Sequence, residues 1–194
     1  SSAVAMQIPV GQEENLEGII DLLEMKVLRF EGDFGQTVSR EDIPQELLGK
    51  AQEWRKKMLE KIAAEDDSLL EKYLAKEELV IQDLRNVLRR SVINYKLVPV
   101  FCGSALKNKG VQSMLDAVCY YLPAPNDLPA IKGIDPKTNQ ETERKADDQE
   151  KFSALAFKVA TDPYVGTLTY FRVYSGSLER GSYLFNSMTG EKER

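Results

Sequence analysis

The sequence predicts an α/β region followed by an all-β segment. In the first 122 residues, short apolar runs of strand type alternate with stretches whose apolar residues recur at helical spacing. From Phe152 onward the hydrophobic period becomes two, and Gly176 and Gly181 separate the alternating runs, which is typical of strands joined by turns. Between these regions, residues 123–151 are rich in proline and polar side chains and predict a linker with one short hairpin.

The first predicted elements are strands. Residues 4–9 alternate before Gly11, and residues 25–30 form a second strand-like run after a mixed apolar stretch. A turn is predicted at 31–35, and residues 37–39 favour a short returning strand.

Three helices follow. Pro44 is suited to the first position of a helix, and the only tryptophan, Trp54, is predicted to anchor the core from that helix. Ser68 and Glu71 have the spacing of a capping box, which predicts a second helix start. The apolar side chains of the first and third helices each follow one face: 47, 48, 51, 54, 58, 59 and 62 in the first, and Leu84, Val87, Leu88, Val92 and Tyr95 in the third.

The stretch 97–122 has the order strand, tight loop, helix. Residues 97–101 form an apolar run that predicts a buried strand, and Gly103 begins the break. Helical spacing resumes after Gly110, and it predicts an apolar face of Val111, Met114, Leu115, Val118 and Leu122. A backbone N–H placed directly after such a strand can donate to the carbonyl of a bound base, although ordinary α/β packing also explains the pattern.

Residue usage argues against an independent catalytic centre. The chain has no histidine, which removes the commonest general base and most zinc sites. Its two cysteines, Cys102 and Cys119, are too few for a disulfide framework and are interpreted as free thiols. No cluster of carboxylates has metal-ligand spacing, so no metal site is predicted.

Charge and hydropathy narrow the class of partner. The 26 basic and 31 acidic residues give a net charge of −5, and the first 90 residues contain no basic surplus of the kind that RNA attracts. A protein partner is therefore favoured for that half. No apolar run approaches the roughly 18 residues of a membrane span, so we expect a cytoplasmic protein without a membrane partner.

Several stretches resemble bacterial-type elongation factor G, a family of ribosomal GTPases, and they occur in the family's order. The resemblance covers nearly the whole chain, is most specific at 98–131 and 152–176, and is weakest at 31–80. The stretches that carry it are Cys102–Gln112, Met114–Val118, Tyr121–Pro123, Thr161–Gly166 and Tyr170–Gly176.

The resemblance implies a domain plan. Residues 1–96 would be an α/β subdomain inserted into a P-loop GTPase domain, and residues 97–122 the returning strand, Ser-Ala-Leu loop and last helix at the C-terminal edge of the GTPase sheet. Residues 123–151 would be a linker, and residues 152–194 the first strands of a second domain that is an all-β barrel.

The resemblance also assigns a base-contacting loop. Ala105 and Leu106 would offer backbone N–H groups to the guanine carbonyl, while Ser104 would steady the loop. GTP or GDP with Mg²⁺ would bind only in the longer parent protein, because this sequence lacks the phosphate loop, the Asp-x-x-Gly motif and the Asn-Lys-x-Asp motif. The string Asn108–Val111 imitates the last of these but ends in valine. We therefore expect no cofactor binding and no GTP hydrolysis by this chain alone.

The family's partners would be the ribosome, its stalk protein and, through the parent's barrel domain, ribosomal RNA. The stalk contact is expected on the polar face of the first helix, through Glu53 and Glu60, continued by Asp67. A solvated helix face without a partner is the alternative.

Three functions stay open. The first places the chain within elongation factor G, which drives ribosomal translocation during chain elongation. The second places it within a sibling GTPase such as a ribosome-protection or peptide-release factor, and the third is a free-standing protein-interaction domain. The run at 161–176 favours the first, and the β periodicity that continues to Arg194 argues against the third.

Overall fold

The computed structural model describes residues 2–32, 35–135 and 138–194, which form two compact units divided after Leu122. The first unit contains β1 (Ala3–Ala5), β2 (Gln7–Val10), a 3-10 turn (Glu13–Asn15), β3 (Gly18–Asp21), β4 (Lys26–Glu31), β5 (Thr37–Glu41), α1 (Gln45–Ala63), α2 (Asp67–Leu74), α3 (Ile81–Ile93), β6 (Val98–Val100) and α4 (Val111–Tyr121). The second contains a 3-10 turn (Pro125–Asp127), β7 (Ile131–Ile134), β8 (Glu141–Arg144), β9 (Ser153–Asp162), β10 (Gly166–Ser175), β11 (Leu184–Asn186) and β12 (Glu191–Glu193).

Strands β2, β3, β4 and β5 form an antiparallel sheet in sequence order. Neighbouring residues of β3 point to opposite faces, and both Ile19 and Ile20 are buried, with exposed fractions of 0% and 1%. Ile20 joins the main core with the helices, whereas Ile19 packs in a smaller cluster with Leu28 and Phe30. The sheet is therefore covered on both faces.

Helix α1 packs along the main core. Ala51, Met58 and Ile62 are buried, in agreement with the predicted apolar face, and Trp54 is half-buried against the same core. From this helix, the half-buried Arg55 guanidinium donates hydrogen bonds to the backbone carbonyls of Leu22 and Leu23, and burial lowers the pKa of Arg55.

Helix α2 begins earlier than the capping box predicts. Asp66 is the N-cap, because its side chain accepts a hydrogen bond from the Leu69 backbone N–H at 3.0 Å. The same carboxylate pairs with Arg90 of α3 at 2.6 Å, and these two interactions lower the pKa of Asp66. The predicted cap at Ser68 is wrong because Asp66 caps the helix two residues earlier, so Ser68 already lies inside the first turn.

Helix α3 buries the predicted Leu84, Val87 and Leu88. The exception is Tyr95, which lies beyond the end of the helix with φ +58° and is almost fully exposed. The chain leaves the helix at Asn94, so the helical period no longer applies to Tyr95.

Strand β6 pairs with β1 in parallel, with Val98 opposite Ala3 and Val100 opposite Ala5. The prediction of a buried strand is wrong in one respect, because Val98 and Val100 are both exposed. Among the described residues, β6 has β1 as its single strand neighbour, which leaves much of its apolar surface uncovered.

The second unit consists of antiparallel strand pairs: β7 with β8, β9 with β10, and β11 with β12. The β7–β8 pair places the predicted hairpin within the linker, at Ile131–Arg144. The β9–β10 pair turns at Asp162, whose carboxylate accepts hydrogen bonds from the backbone N–H groups of Tyr164 and Val165 at 2.8 and 2.9 Å. The described strands do not close a barrel.

The structure therefore has mixed helices and strands followed by strands alone, as the sequence predicts. Parts of two predictions, Asp33 and Phe34 of the 31–35 turn and Pro136 of the linker, fall outside the described residues. Across the part of the chain that the structure describes, no helix combines the length and apolar character needed to cross a membrane.

One buried side chain conflicts with its surroundings. Gln7 is 5% exposed, and neither Oε1 nor Nε2 of its amide has a hydrogen-bond partner among the described residues. Gln7 lines a cavity of about 100 Å³ with Asp21 and Arg85. The cavity lies between the sheet, α3 and α4.

We expect Gln7→Met to raise the free energy of unfolding by about 1 kcal/mol, because it replaces an unsatisfied amide with an apolar side chain of similar length. Urea titration followed by circular dichroism measures the change. The matched control, Gln52→Met on the exposed side of α1, should alter stability by less than about 0.5 kcal/mol. A loss of stability in Gln7→Met would contradict the expectation.

Candidate functional site

The loop after β6 is closed by its own backbone. Ser104 N donates to the carbonyl of Lys109 at 2.8 Å, and Lys109 N donates back to Ser104 at 3.0 Å. Inside this bridge, Asn108 N donates to the Ala105 carbonyl at 3.1 Å. We call residues 104–109 the base loop.

The base loop presents two adjacent backbone donors. Neither the N–H of Ala105 nor that of Leu106 has an acceptor among the described residues, and the Leu106 residue is 97% exposed. Ser104 Oγ accepts a long hydrogen bond of 3.4 Å from Lys107 N, directly after these two residues. Two neighbouring N–H groups held in this way can bind one carbonyl oxygen or a small anion.

Glycines at both ends let the base loop approach its neighbours. A Cβ on Gly103 would lie 2.5 Å from the Lys109 carbonyl oxygen. Gly110 has φ +84°, and a Cβ there would lie 2.6 Å from Ile19 Cδ1 and 2.7 Å from the Cys102 carbonyl oxygen. These positions therefore need glycine for both conformation and space.

Three side chains connect the base loop and the start of α4 to the four-stranded sheet. Lys107 Nζ donates to the Glu14 carbonyl at 2.8 Å, and Lys109 Nζ donates to the Leu16 carbonyl at 2.6 Å. Gln112 Nε2 donates to the carbonyl of Gly35 at 2.8 Å. No sequence pattern indicates these contacts, because the partners lie 77 to 93 residues away.

Helix α4 buries a different face from the one that the sequence predicts. Its buried residues are Ala117 and Tyr121. The predicted apolar face stays largely at the surface: Leu115 is 61% exposed, and Met114, Val118 and Leu122 are also exposed. Periodicity predicts an apolar stripe on α4, but it does not indicate whether that stripe faces the core of this chain. In the structure the stripe faces away from that core.

The three acidic residues proposed for partner binding are exposed but do not share one helix. Glu53 pairs with Lys57 at 2.5 Å, which lowers the pKa of Glu53. Glu60 accepts a hydrogen bond from Tyr73 Oη at 3.3 Å. Glu53 and Glu60 lie on α1, which ends at Ala63, whereas Asp67 is the first residue of α2.

No group of three or more histidine, cysteine or acidic side chains that could hold a metal ion is present within residues 2–32, 35–135 and 138–194. Two free cysteines lie near the loop and on α4. Cys102 is half-buried beside the smaller core cluster, and burial raises the pKa of its thiol to about 11. Cys119 is exposed on α4.

No protein-family model matches the chain. Its structure is similar to the crystal structure of a protein from Thermus thermophilus, with a TM-score of 0.70 and 26% sequence identity. The match covers 94% of this chain and 24% of that protein. The chain thus spans about a quarter of the length of its structural neighbour, and its architecture recurs inside a larger protein.

The two cysteines should differ sharply in reactivity. At pH 8, roughly one Cys102 thiol in a thousand is ionised when its pKa is about 11. We expect a disulfide reagent to modify Cys119 first, and the rate at Cys102 to rise about tenfold per pH unit up to that pKa. The single variants Cys102→Ser and Cys119→Ser assign the two phases, and equal rates at pH 8 would contradict the burial of Cys102.

Proposed function

We propose that this chain is part of a translational GTPase of the elongation factor G type, in which Ser104, Ala105 and Leu106 contact the guanine base. The observation that supports this most strongly is the exposed stripe of α4, which we call the α4 stripe (Met114, Leu115, Val118 and Leu122). An apolar stripe on a helix is normally buried against a neighbouring layer. Here the neighbouring layer would be the remainder of the GTPase sheet.

The parallel pair β1–β6 supports the same proposal. Parallel sheets almost always have both faces covered by other elements. Strands β1 and β6 have only three paired residues each, which is too few for the pair to bury its own side chains. The exposed Val98 and Val100 therefore match the edge of a larger parallel sheet, onto which the α4 stripe would also pack.

The chemistry available to the chain is base recognition without catalysis. The unpartnered N–H groups of Ala105 and Leu106 can donate to the guanine carbonyl. The sequence contains no phosphate loop and no residue string suited to hold Mg²⁺ beside a γ-phosphate. Hydrolysis of GTP, with its Mg²⁺, would belong to the longer protein, and this chain would supply one wall of the base pocket.

The proposed setting is the cytoplasmic ribosome. The longer protein would couple GTP hydrolysis to translocation and would contact ribosomal RNA through its second domain. The insert, residues 1–96, would contact the ribosomal stalk protein. The exposed carboxylates of Glu53, Glu60 and Asp67 are the surface that we assign to this contact.

Leu115→Gln tests the proposal in two proteins. In this chain the change should leave the free energy of unfolding within about 0.5 kcal/mol, because Leu115 is exposed. In the longer protein it should cost about 2 kcal/mol and weaken GDP binding, because the side chain would lie against the sheet. Chemical denaturation measures the free energy of unfolding of both proteins, and a GDP titration of the longer protein measures the affinity.

The matched control is Ala117→Gln, which should destabilise both proteins because Ala117 is buried within this chain. An equal, small effect of Leu115→Gln in the two proteins would contradict the proposal. So would tight, Mg²⁺-dependent GTP binding by the 194 residues alone.

We expect weak binding between this chain and the C-terminal domain of a ribosomal stalk protein, measured by NMR titration. The triple variant Glu53→Lys, Glu60→Lys, Asp67→Lys should abolish it through charge reversal on the exposed surface. The control triple variant Glu141→Lys, Glu143→Lys, Glu191→Lys makes the same charge change in the second unit. Equal loss in both would indicate a net-charge effect and would contradict the assigned surface.

A further inference from the structure

We propose that Lys107 and Lys109 are positioning residues that clamp the base loop to the connection between β2 and β3. The inference rests on the proposed function, because it concerns how the guanine-contacting N–H groups are held in place. It also gives a role to the string Asn108–Val111, which imitates a nucleotide-binding motif without having its final carboxylate.

In the clamp, two lysine ammonium groups donate hydrogen bonds to carbonyls of one short backbone segment. Lys107 Nζ reaches the Glu14 carbonyl at 2.8 Å, and Lys109 Nζ reaches the Leu16 carbonyl at 2.6 Å. These carbonyls lie two residues apart, at the end of the 3-10 turn Glu13–Asn15. A hydrogen bond with a charged donor is about twice as strong as one between neutral groups.

The segment that receives the clamp is itself well fixed. Glu17 N donates to the Val10 carbonyl at 2.9 Å, which closes the connection between β2 and β3. Gly11 has φ +84°, and a Cβ there would lie 1.8 Å from the Asn15 carbonyl oxygen. The turn therefore offers its carbonyls from a defined position, and the sheet can hold the base loop.

The connection between β4 and β5 also approaches the base loop closely. A Cβ on Gly35 would lie 2.9 Å from the Asn108 carbonyl oxygen and 3.2 Å from that of Lys107. Gln112 Nε2 holds the same glycine through its carbonyl at 2.8 Å. The base loop is thus in contact with two connections of the four-stranded sheet.

The clamp acts on the N–H groups because of where the lysines stand. Ala105 and Leu106 lie between the bridge residue Ser104 and the two lysines, so fixing Lys107 and Lys109 fixes the C-terminal half of the loop. Hydrogen bonds weaken steeply as their angle falls. Donors held in advance of binding also avoid an ordering cost when the base arrives. Lys109, which is half-buried, should contribute more than the exposed Lys107.

The first experiment examines the clamp in this chain and needs no nucleotide. ¹⁵N relaxation of the backbone N–H groups of Ala105 and Leu106 should give order parameters of about 0.85 in the unsubstituted chain. In the double variant Lys107→Met/Lys109→Met they should fall below about 0.6. Lys50→Met, an exposed lysine of α1, is the matched control and should leave both values unchanged. Unchanged order parameters in the double variant would overturn the clamp.

The second experiment examines base recognition in the longer protein. GDP has the base carbonyl that the loop N–H groups would contact, whereas 2-aminopurine riboside diphosphate lacks it. Lys109→Met should weaken GDP binding about tenfold, the worth of one hydrogen bond. It should leave the affinity for the 2-aminopurine nucleotide unchanged, and Lys109→Arg should restore most of the GDP affinity.

The outcomes separate the clamp from the function on which it rests. Equal weakening of both nucleotides would mean general destabilisation and would overturn the positioning role. Loosened N–H groups with unchanged GDP affinity would support the clamp and overturn guanine contact by Ala105 and Leu106. Selective loss of GDP affinity together with loosened N–H groups is the result expected from the proposal.

Discussion

The burial of β3 on both faces is the constraint on which the first unit depends. Ile20 belongs to the main core, to which all four helices contribute buried residues, and Ile19 belongs to the smaller cluster on the opposite face, close to the base loop and the start of α4. Because Gly110 approaches Ile19 closely, the start of α4 is placed directly by a core strand. The same strand thus organises the helical layer and the candidate site, and neither can shift without disturbing the other.

This arrangement explains the inverted exposure of α4. The helix turns Ala117 and Tyr121 toward the first unit, where Arg89 Nη1 also donates to the carbonyl of Tyr120 at 2.7 Å. Only a small residue and an aromatic ring are buried on that side, and the more apolar side stays exposed. The helix therefore has one buried side and one exposed apolar side, and the exposed side is the one that we propose to pack against a GTPase sheet.

Local sequence patterns predict much of the fold. Helices α1 and α3 follow their predicted apolar faces because each packs on a single core, which is the situation that helical periodicity describes. Periodicity fails for α4 because it reports which residues are apolar and not which neighbour covers them. The sequence does not decide the cap of α2, because Asp66 and Ser68 both have side chains that can accept a hydrogen bond from a free N–H. The contacts of Lys107 and Lys109 could not be predicted, since a flexible lysine gives no signal of a carbonyl 93 residues away.

Arg55 has a consequence for how the first unit opens. Its guanidinium joins the middle of α1 to two successive carbonyls at the end of β3, and that end is otherwise held by Asp21 Oδ1, which accepts from Leu23 N at 2.8 Å and Glu24 N at 2.9 Å. If α1 separated from the sheet, the buried carbonyls of Leu22 and Leu23 would lose their hydrogen bonds to Arg55. Helix and turn should therefore exchange their amide protons in one concerted event, as a single cooperative folding unit.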